Sequence, residues 1–151
     1  MKKILISACL AGDNVKYNGG NNFADNPHIR KWLSEGRLVK ICPESDGGLS
    51  TPRPPSEIIG DRVVNIQGDD VTAAFAKGAR LALEKAEANG ISYAILKQGS
   101  PSCGSKRIYD GTFTGVKIDG MGVAAKLLRQ NGIEIFDETQ INELAALIDG
   151  E

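Results

Sequence analysis

No apolar run in this 151-residue chain approaches the roughly 20 residues that a bilayer-spanning helix needs. There is one histidine, His28, which leaves Ser/His/Asp and Cys/His hydrolase schemes almost nothing to work with. It falls in the first turn of a short helix and reads as a surface residue. Three cysteines are an odd set with no Cys-x-x-Cys spacing, which excludes a secreted disulfide framework. Neither sign of charge is in excess, with 18 Lys and Arg against 19 Asp and Glu. Nothing in that balance selects nucleic acid or a membrane surface as the main partner. The basic start, Met1-Lys2-Lys3, precedes an apolar run shorter than the roughly 7–15 residues of a signal peptide. The expected setting is soluble, reducing and cytoplasmic.

What is present is an alternation of strands and helices. A chain of this size buries roughly 68–70% of its unfolded surface, so it can hold a core without disulfides or metal. Lys3–Ala8 has no helical period and reads as a buried strand. It ends at Cys9 and a polar loop, Gly12–Asn22. Asn26-Pro27 opens a helix over 27–35, with Ile29, Trp32 and Leu33 on one face and Gly36 as its stop. Leu38–Ile41 is a second strand, delivering Cys42-Pro43-Glu44 to its end. Ser45–Ser56, rich in proline and glycine, reads as a stiff non-repetitive loop. Glu57–Ile66 suggests a hairpin, or one strand with a loop. A helix over 71–88 follows, capped by Asp69 or Asp70, then a strand over 91–97. Arg107–Val116 reads as a turn or small hairpin. Helix 122–130 and strand 133–136 follow, and a last helix is expected to start at Asp137 with Gln140 completing a capping box. This pattern predicts one α/β domain over residues 1–151, a Rossmann-like, three-layer fold with a mainly parallel sheet and helices on both faces.

Chemistry is concentrated where strands end. Cys9, Cys42 and Cys103 each follow an apolar run, and parallel strands bring their carboxyl ends together. Any one cysteine reads first as a small buried hydrophobe. Three converging thiolates would instead bind a soft metal or an iron–sulfur cluster. Zinc would need a fourth ligand or an open catalytic position. The stretch Gly99-Ser100-Pro101-Ser102-Cys103-Gly104-Ser105-Lys106 superficially resembles a phosphate loop. It lacks the Gly-Lys-Ser/Thr order and the helix that should follow. Glu44, two residues past Cys42, lies near whatever that thiol binds. Arg53, between Pro52 and Pro54, is placed either to pair with an acid or to hold an anionic ligand, and of the two the ion pair that pins the loop is preferred. Asp13, Asn18 and Asp110 read as loop caps that are also candidates for ligand contact.

Ser7-Ala8-Cys9-Leu10, Cys42-Pro43-Glu44 with Gly47-Gly48-Leu49-Ser50-Thr51-Pro52-Arg53-Pro54-Pro55, and Ser100-Pro101-Ser102-Cys103-Gly104 together resemble a family of small bacterial proteins that includes the thiouracil desulfidases. The resemblance runs through Tyr109-Asp110-Gly111-Thr112-Phe113 to the closing helix. It implies that Cys9, Cys42 and Cys103 ligate three irons of a [4Fe–4S] cluster whose fourth iron is open to substrate. It further implies that Glu44 and Ser100 handle protons beside it, and that the substrate is a small thionated heterocycle such as thiouracil, desulfurated without net electron transfer. Two other readings stand at this point: a cluster that carries sulfur, and a non-enzymatic metal- or ligand-binding domain whose thiols never meet.

Overall fold

The computed structural model describes residues 2–150. Along the chain, β1 (Ile4–Ser7) passes through a 3-10 turn (Ala8–Ala11) and a long loop to α1 (Pro27–Ser34), which returns to β2 (Leu38–Ile41). A one-turn helix, α2 (Pro43–Asp46), precedes the hairpin of β3 (Ser56–Ile59) and β4 (Arg62–Asn65), then the long helix α3 (Thr72–Ala88). β5 (Tyr93–Leu96) leads to a second hairpin, β6 (Arg107–Tyr109) and β7 (Lys117–Asp119). α4 (Val123–Gln130), β8 (Glu134–Asp137) and α5 (Ile141–Ile148) complete the chain.

Four strands form the central sheet in the order β2-β1-β5-β8. Every neighbouring pair is parallel. These strands lack polar alternation because both faces of the sheet are covered. Ile4 and Ile6 point into a core shared with Ile29 and Trp32 of α1 and Leu144 of α5. Leu5, between them, points the other way, toward Ala82 and Ala86 of α3 and Leu128 of α4. The three layers expected from the alternation of elements are therefore present. Strand order reverses at β1, with β2 on one side and the later strands on the other. A reversal of this kind opens a crevice at the carboxyl ends of the strands on either side of it.

Several boundaries differ from the sequence reading. Cys9 sits on the 3-10 turn rather than in open loop. That turn closes because Gly12, at φ +100°, sends its N–H back to the Cys9 carbonyl at 3.2 Å. Pro43–Asp46 is helical, although proline and glycine nearby suggested only loop. Pro43 occupies the first helical position, where its missing N–H costs nothing, and Glu44 and Asp46 favour the helix start. The last helix begins at Ile141, four residues later than expected. The capping contacts do form: Asp137 N–H donates to the Gln140 side chain at 3.1 Å, and Thr139 N–H to the Asp137 carboxylate at 2.7 Å. They close a turn at the end of β8 instead of opening a helix. The α3 N-cap is Val71, while Asp70 accepts from Thr72 N–H at 2.9 Å.

Gly78 stands in the middle of α3, where glycine is normally about 1 kcal/mol worse than alanine. Its reason is tertiary. A Cβ there would lie 1.8 Å from the Pro43 carbonyl oxygen, and one at Gly47 would lie 2.1 Å from that of Ala74. The two glycines let α2 rest directly on α3, which sets the position of Glu44. Gly78→Ala is expected to destabilise the protein by about 1–3 kcal/mol through overpacking, despite the gain in helix propensity. Urea denaturation with an unchanged slope would measure this. An alanine variant more stable than the parent would refute it.

Candidate active site and cluster cradle

Three strand ends and two loops converge on a cavity of about 510 Å³. Cys9 reaches it from the turn after β1, Cys42 from the end of β2, and Cys103 from the loop after β5. All three are free thiols. Cys103 is buried, and the other two are half-buried.

The loop that carries Cys103 is built around one side chain. The Ser100 hydroxyl oxygen accepts the backbone N–H groups of Ser102 at 3.1 Å and Cys103 at 3.0 Å. Gly104 N–H returns to the Ser100 carbonyl at 2.9 Å. A Cβ at Gly104 would stand 2.7 Å from the Arg107 carbonyl oxygen, so this position must be glycine for the turn to close. The loop carbonyls then serve the start of α4. Pro101 accepts from Val123 N–H at 2.9 Å, and Ser102 accepts from Ala124 at 2.9 Å and Ala125 at 3.0 Å. These are donors that a helix N-terminus would otherwise leave unsatisfied. Loop and helix hold each other in place.

Glu44 projects from α2 into the same cavity. Its Oε1 accepts from Arg53 Nε at 3.0 Å and its Oε2 from the Ser102 hydroxyl at 2.9 Å. The Arg53 guanidinium also donates to the Val15 carbonyl at 2.9 Å, the Ser50 carbonyl at 3.2 Å and Thr51 Oγ1 at 2.9 Å. One side chain thus ties three segments around the carboxylate, as ion pairing from a proline-flanked position suggested. The side chains of Arg53 and Glu44 are only 6% and 14% exposed. Removing one partner strands the other charge, so Arg53→Ala is expected to lose about 3–5 kcal/mol of stability. Lysine cannot make the same fork and should restore only part of it. Thermal unfolding of the two variants would measure both effects.

Burial sets the state of the Cys103 and Cys9 thiols. It pushes the Cys103 thiol up to about 12, against smaller opposing help from the Ser7 and Ser102 hydroxyls. Burial also raises Cys9, partly offset by the Asn22 amide, whose Nδ2 lies 3.6 Å from its sulfur. Cys9 feels the charge of Cys42, and Cys103 that of Cys9, so the three are electrostatic neighbours. Thiolates in such surroundings need a cation to offset them. Among the described residues, no three His, Cys, Asp or Glu side chains are set to hold a single metal ion. The thiols enter the cavity from three different segments of the chain. Three soft sulfur donors from separate strand ends fit a group with several metal positions, as an iron–sulfur cluster has.

The structure brings together Cys9, Cys42, Cys103, Glu44, Ser100 and Arg53. It leaves Asp13, Asn18 and Asp110 outside the cavity walls. Asp13 pairs with Lys40 at 3.1 Å, Asn18 caps Gly20 N–H at 2.9 Å, and Asp110 caps Thr112 N–H at 3.0 Å. His28 is half-buried rather than on the open surface, its ring 5.8 Å from that of Trp32 and away from the cavity. Two residues were missed from sequence. Ser102 links Ser100 to Glu44, and Asn22 meets the Cys9 sulfur. The Ser-Pro-Ser-Cys spacing was visible, but loop residues two apart carry no signal for where their hydroxyls point. Asn22 looked like turn chemistry and nothing more.

Comparison with known proteins accords with this geometry. The uncharacterized protein YbbK of Bacillus subtilis (strain 168) is 44% identical over 151 residues, covering 93% of this chain and 99% of its own. A solved structure described as the [4Fe-4S]-dependent thiouracil desulfidase TudS is 48% identical, with a TM-score of 0.96 and 99% of each chain covered. The family model for 2-thiouracil desulfurase matches residues 4–140, a span that holds the central sheet, all three cysteines and the Glu44–Arg53 pair. The chain belongs to the 2-thiouracil desulfurase family.

Proposed function

We propose that residues 1–151 form one desulfidase domain that removes sulfur from a thionated pyrimidine such as thiouracil and releases it as hydrogen sulfide. The observation that carries this reading is the meeting of three free cysteines in one cavity at the switch point of the sheet. Cys9, Cys42 and Cys103 are the residues that would hold a [4Fe–4S] cluster. When bound, such a cluster supplies a soft Lewis acid suited to a thiocarbonyl sulfur.

The protein's own part is acid–base chemistry and positioning. Conversion of C=S and water to C=O and hydrogen sulfide needs no electrons. It needs two protons moved from the water oxygen to sulfur. Glu44 is the acceptor for the proton of the attacking water, held in place by Arg53. Ser100 is the second proton-handling residue, its oxygen anchored by two backbone N–H groups on the cavity wall. Among the described residues no helix is long and apolar enough to cross a membrane. The partner in this reading is a small heterocycle.

The test is anaerobic reconstitution with iron and sulfide, followed by an assay of sulfide release from thiouracil. Many turnovers per protein are expected, which separates catalysis from sulfur carriage. Protein that stays colourless and iron-free after reconstitution would sink the reading.

A further inference from the structure

We propose that Ser102 is a relay residue that passes protons between Glu44 and Ser100. The inference rests on the desulfidase reading and extends it to a residue with no role in that scheme so far. Ser102 is 2% exposed, and its hydroxyl lies 2.9 Å from Glu44 Oε2 and 2.9 Å from Ser100 Oγ. The three groups form one continuous row on the cavity wall.

The direction of each bond in that row follows from what each group can do. An ionised carboxylate only accepts, and at 2.9 Å it is far nearer than the Cys103 sulfur at 3.7 Å, so the single Ser102 proton points to Glu44. The Ser102 oxygen is then the acceptor that faces Ser100. The Ser100 oxygen already accepts two backbone N–H groups, which occupy its two lone pairs. Its proton is therefore free to point to Ser102 or to a bound substrate. The other oxygen of Glu44 is held by Arg53, a group that cannot take up a proton. Of these contacts, only the one through Ser102 lets a proton leave Glu44 toward another proton carrier.

The relay balances the reaction without any added reactant. Glu44 takes a proton as water attacks the thiocarbonyl carbon and the C–O bond forms. Ser100 gives its own proton to the departing sulfur as the C–S bond breaks. Ser102 refills Ser100, and Glu44 refills Ser102, which returns Glu44 to its ionised state. The second water proton leaves the new hydroxyl for Glu44 as the product carbonyl forms, passes along the same row to Ser100, and from there completes the hydrogen sulfide. Ser102 touches no substrate atom in this scheme, and its one contact on the cluster side is with the sulfur of Cys103, at 3.7 Å. It acts through its two neighbours and is a positioning residue.

The experiment compares anaerobically reconstituted wild type, Ser102→Ala and Ser102→Thr. It measures iron content, uracil affinity, and kcat and KM for sulfide release from thiouracil. Ser102→Ala should keep its iron and its uracil affinity, hold KM near the wild-type value, and lose about 10–100-fold in kcat. Ser102→Thr keeps the hydroxyl and should recover part of that loss. Wild-type kcat in Ser102→Ala, a fall in kcat that tracks a fall in iron, or an iron-loaded threonine variant no faster than alanine would each overturn the relay. Wild-type protein that loads iron yet releases no sulfide would overturn the desulfidase reading itself, and the relay with it.

Discussion

A Glu44→Gln protein, reconstituted alongside wild type, should hold its iron and lose about 10²–10⁴-fold in kcat for sulfide release. Glutamine has the shape of glutamate but no basic oxygen to take a proton from water. It also meets a conflict that the carboxylate does not have. Arg53 donates to one oxygen and Ser102 to the other. An amide has one oxygen and one NH₂ group, so with its oxygen on Arg53 its NH₂ faces Ser102, whose hydroxyl must then accept and turn its own proton away, and the charge that pairs with Arg53 is lost. A modest loss of thermal stability should therefore accompany the loss of rate. Iron content, kcat and melting temperature together separate the two effects. A glutamine variant with full iron and full rate would remove Glu44 from the chemistry.

Cys103→Ser should abolish both cluster loading and sulfide release. Cys103 is the most buried of the three cysteines and packs with Leu5, Leu96 and Ala125 in the core beneath the α3–α4 face. Serine fits that space but is a poor ligand for iron compared with a soft thiolate. Its buried hydroxyl also costs about 1–3 kcal/mol unless it finds a partner. Iron per chain and the visible absorption of the cluster should both fall to background after reconstitution. Cys9→Ser and Cys42→Ser should show the same loss of iron with a smaller effect on stability, since both positions are half-buried. A Cys103→Ser protein that takes up wild-type iron would show that the cavity does not hold the cluster through this residue.

Much of the architecture was legible because it depends on local pattern. Asn26-Pro27 marks the start of α1, and the side chain of Asn26 does accept the His28 N–H at 2.8 Å. Leu38–Ile41 and the hairpin around Gly60 follow directly from apolar runs and turn residues. Less legible were elements whose boundaries depend on contacts far along the chain. The single turn of α2 is stable because it lies on α3, and nothing local to Pro43–Asp46 reveals that support. Asp137 and Gln140 make the expected contacts, yet the chain continues as a turn because Asp137 is itself the last residue of β8, in register with Leu96 of β5.

The same division applies to the site. Sequence alone determined the strands that end at Cys9, Cys42 and Cys103, the absence of histidine partners, and the residue types able to hold soft metal and move protons. Those are properties of spacing and side-chain chemistry. Only the tertiary structure decided that the three thiols share one cavity, because strand order 2-1-5-8 is a long-range choice that places β1 between β2 and β5. Only it decided that Ser102 stands between Ser100 and Glu44, because the two sides of that contact lie 58 residues apart. The direction of a loop hydroxyl is set by the packing of α2 on α3 and of the loop on α4, and no period in the chain encodes it.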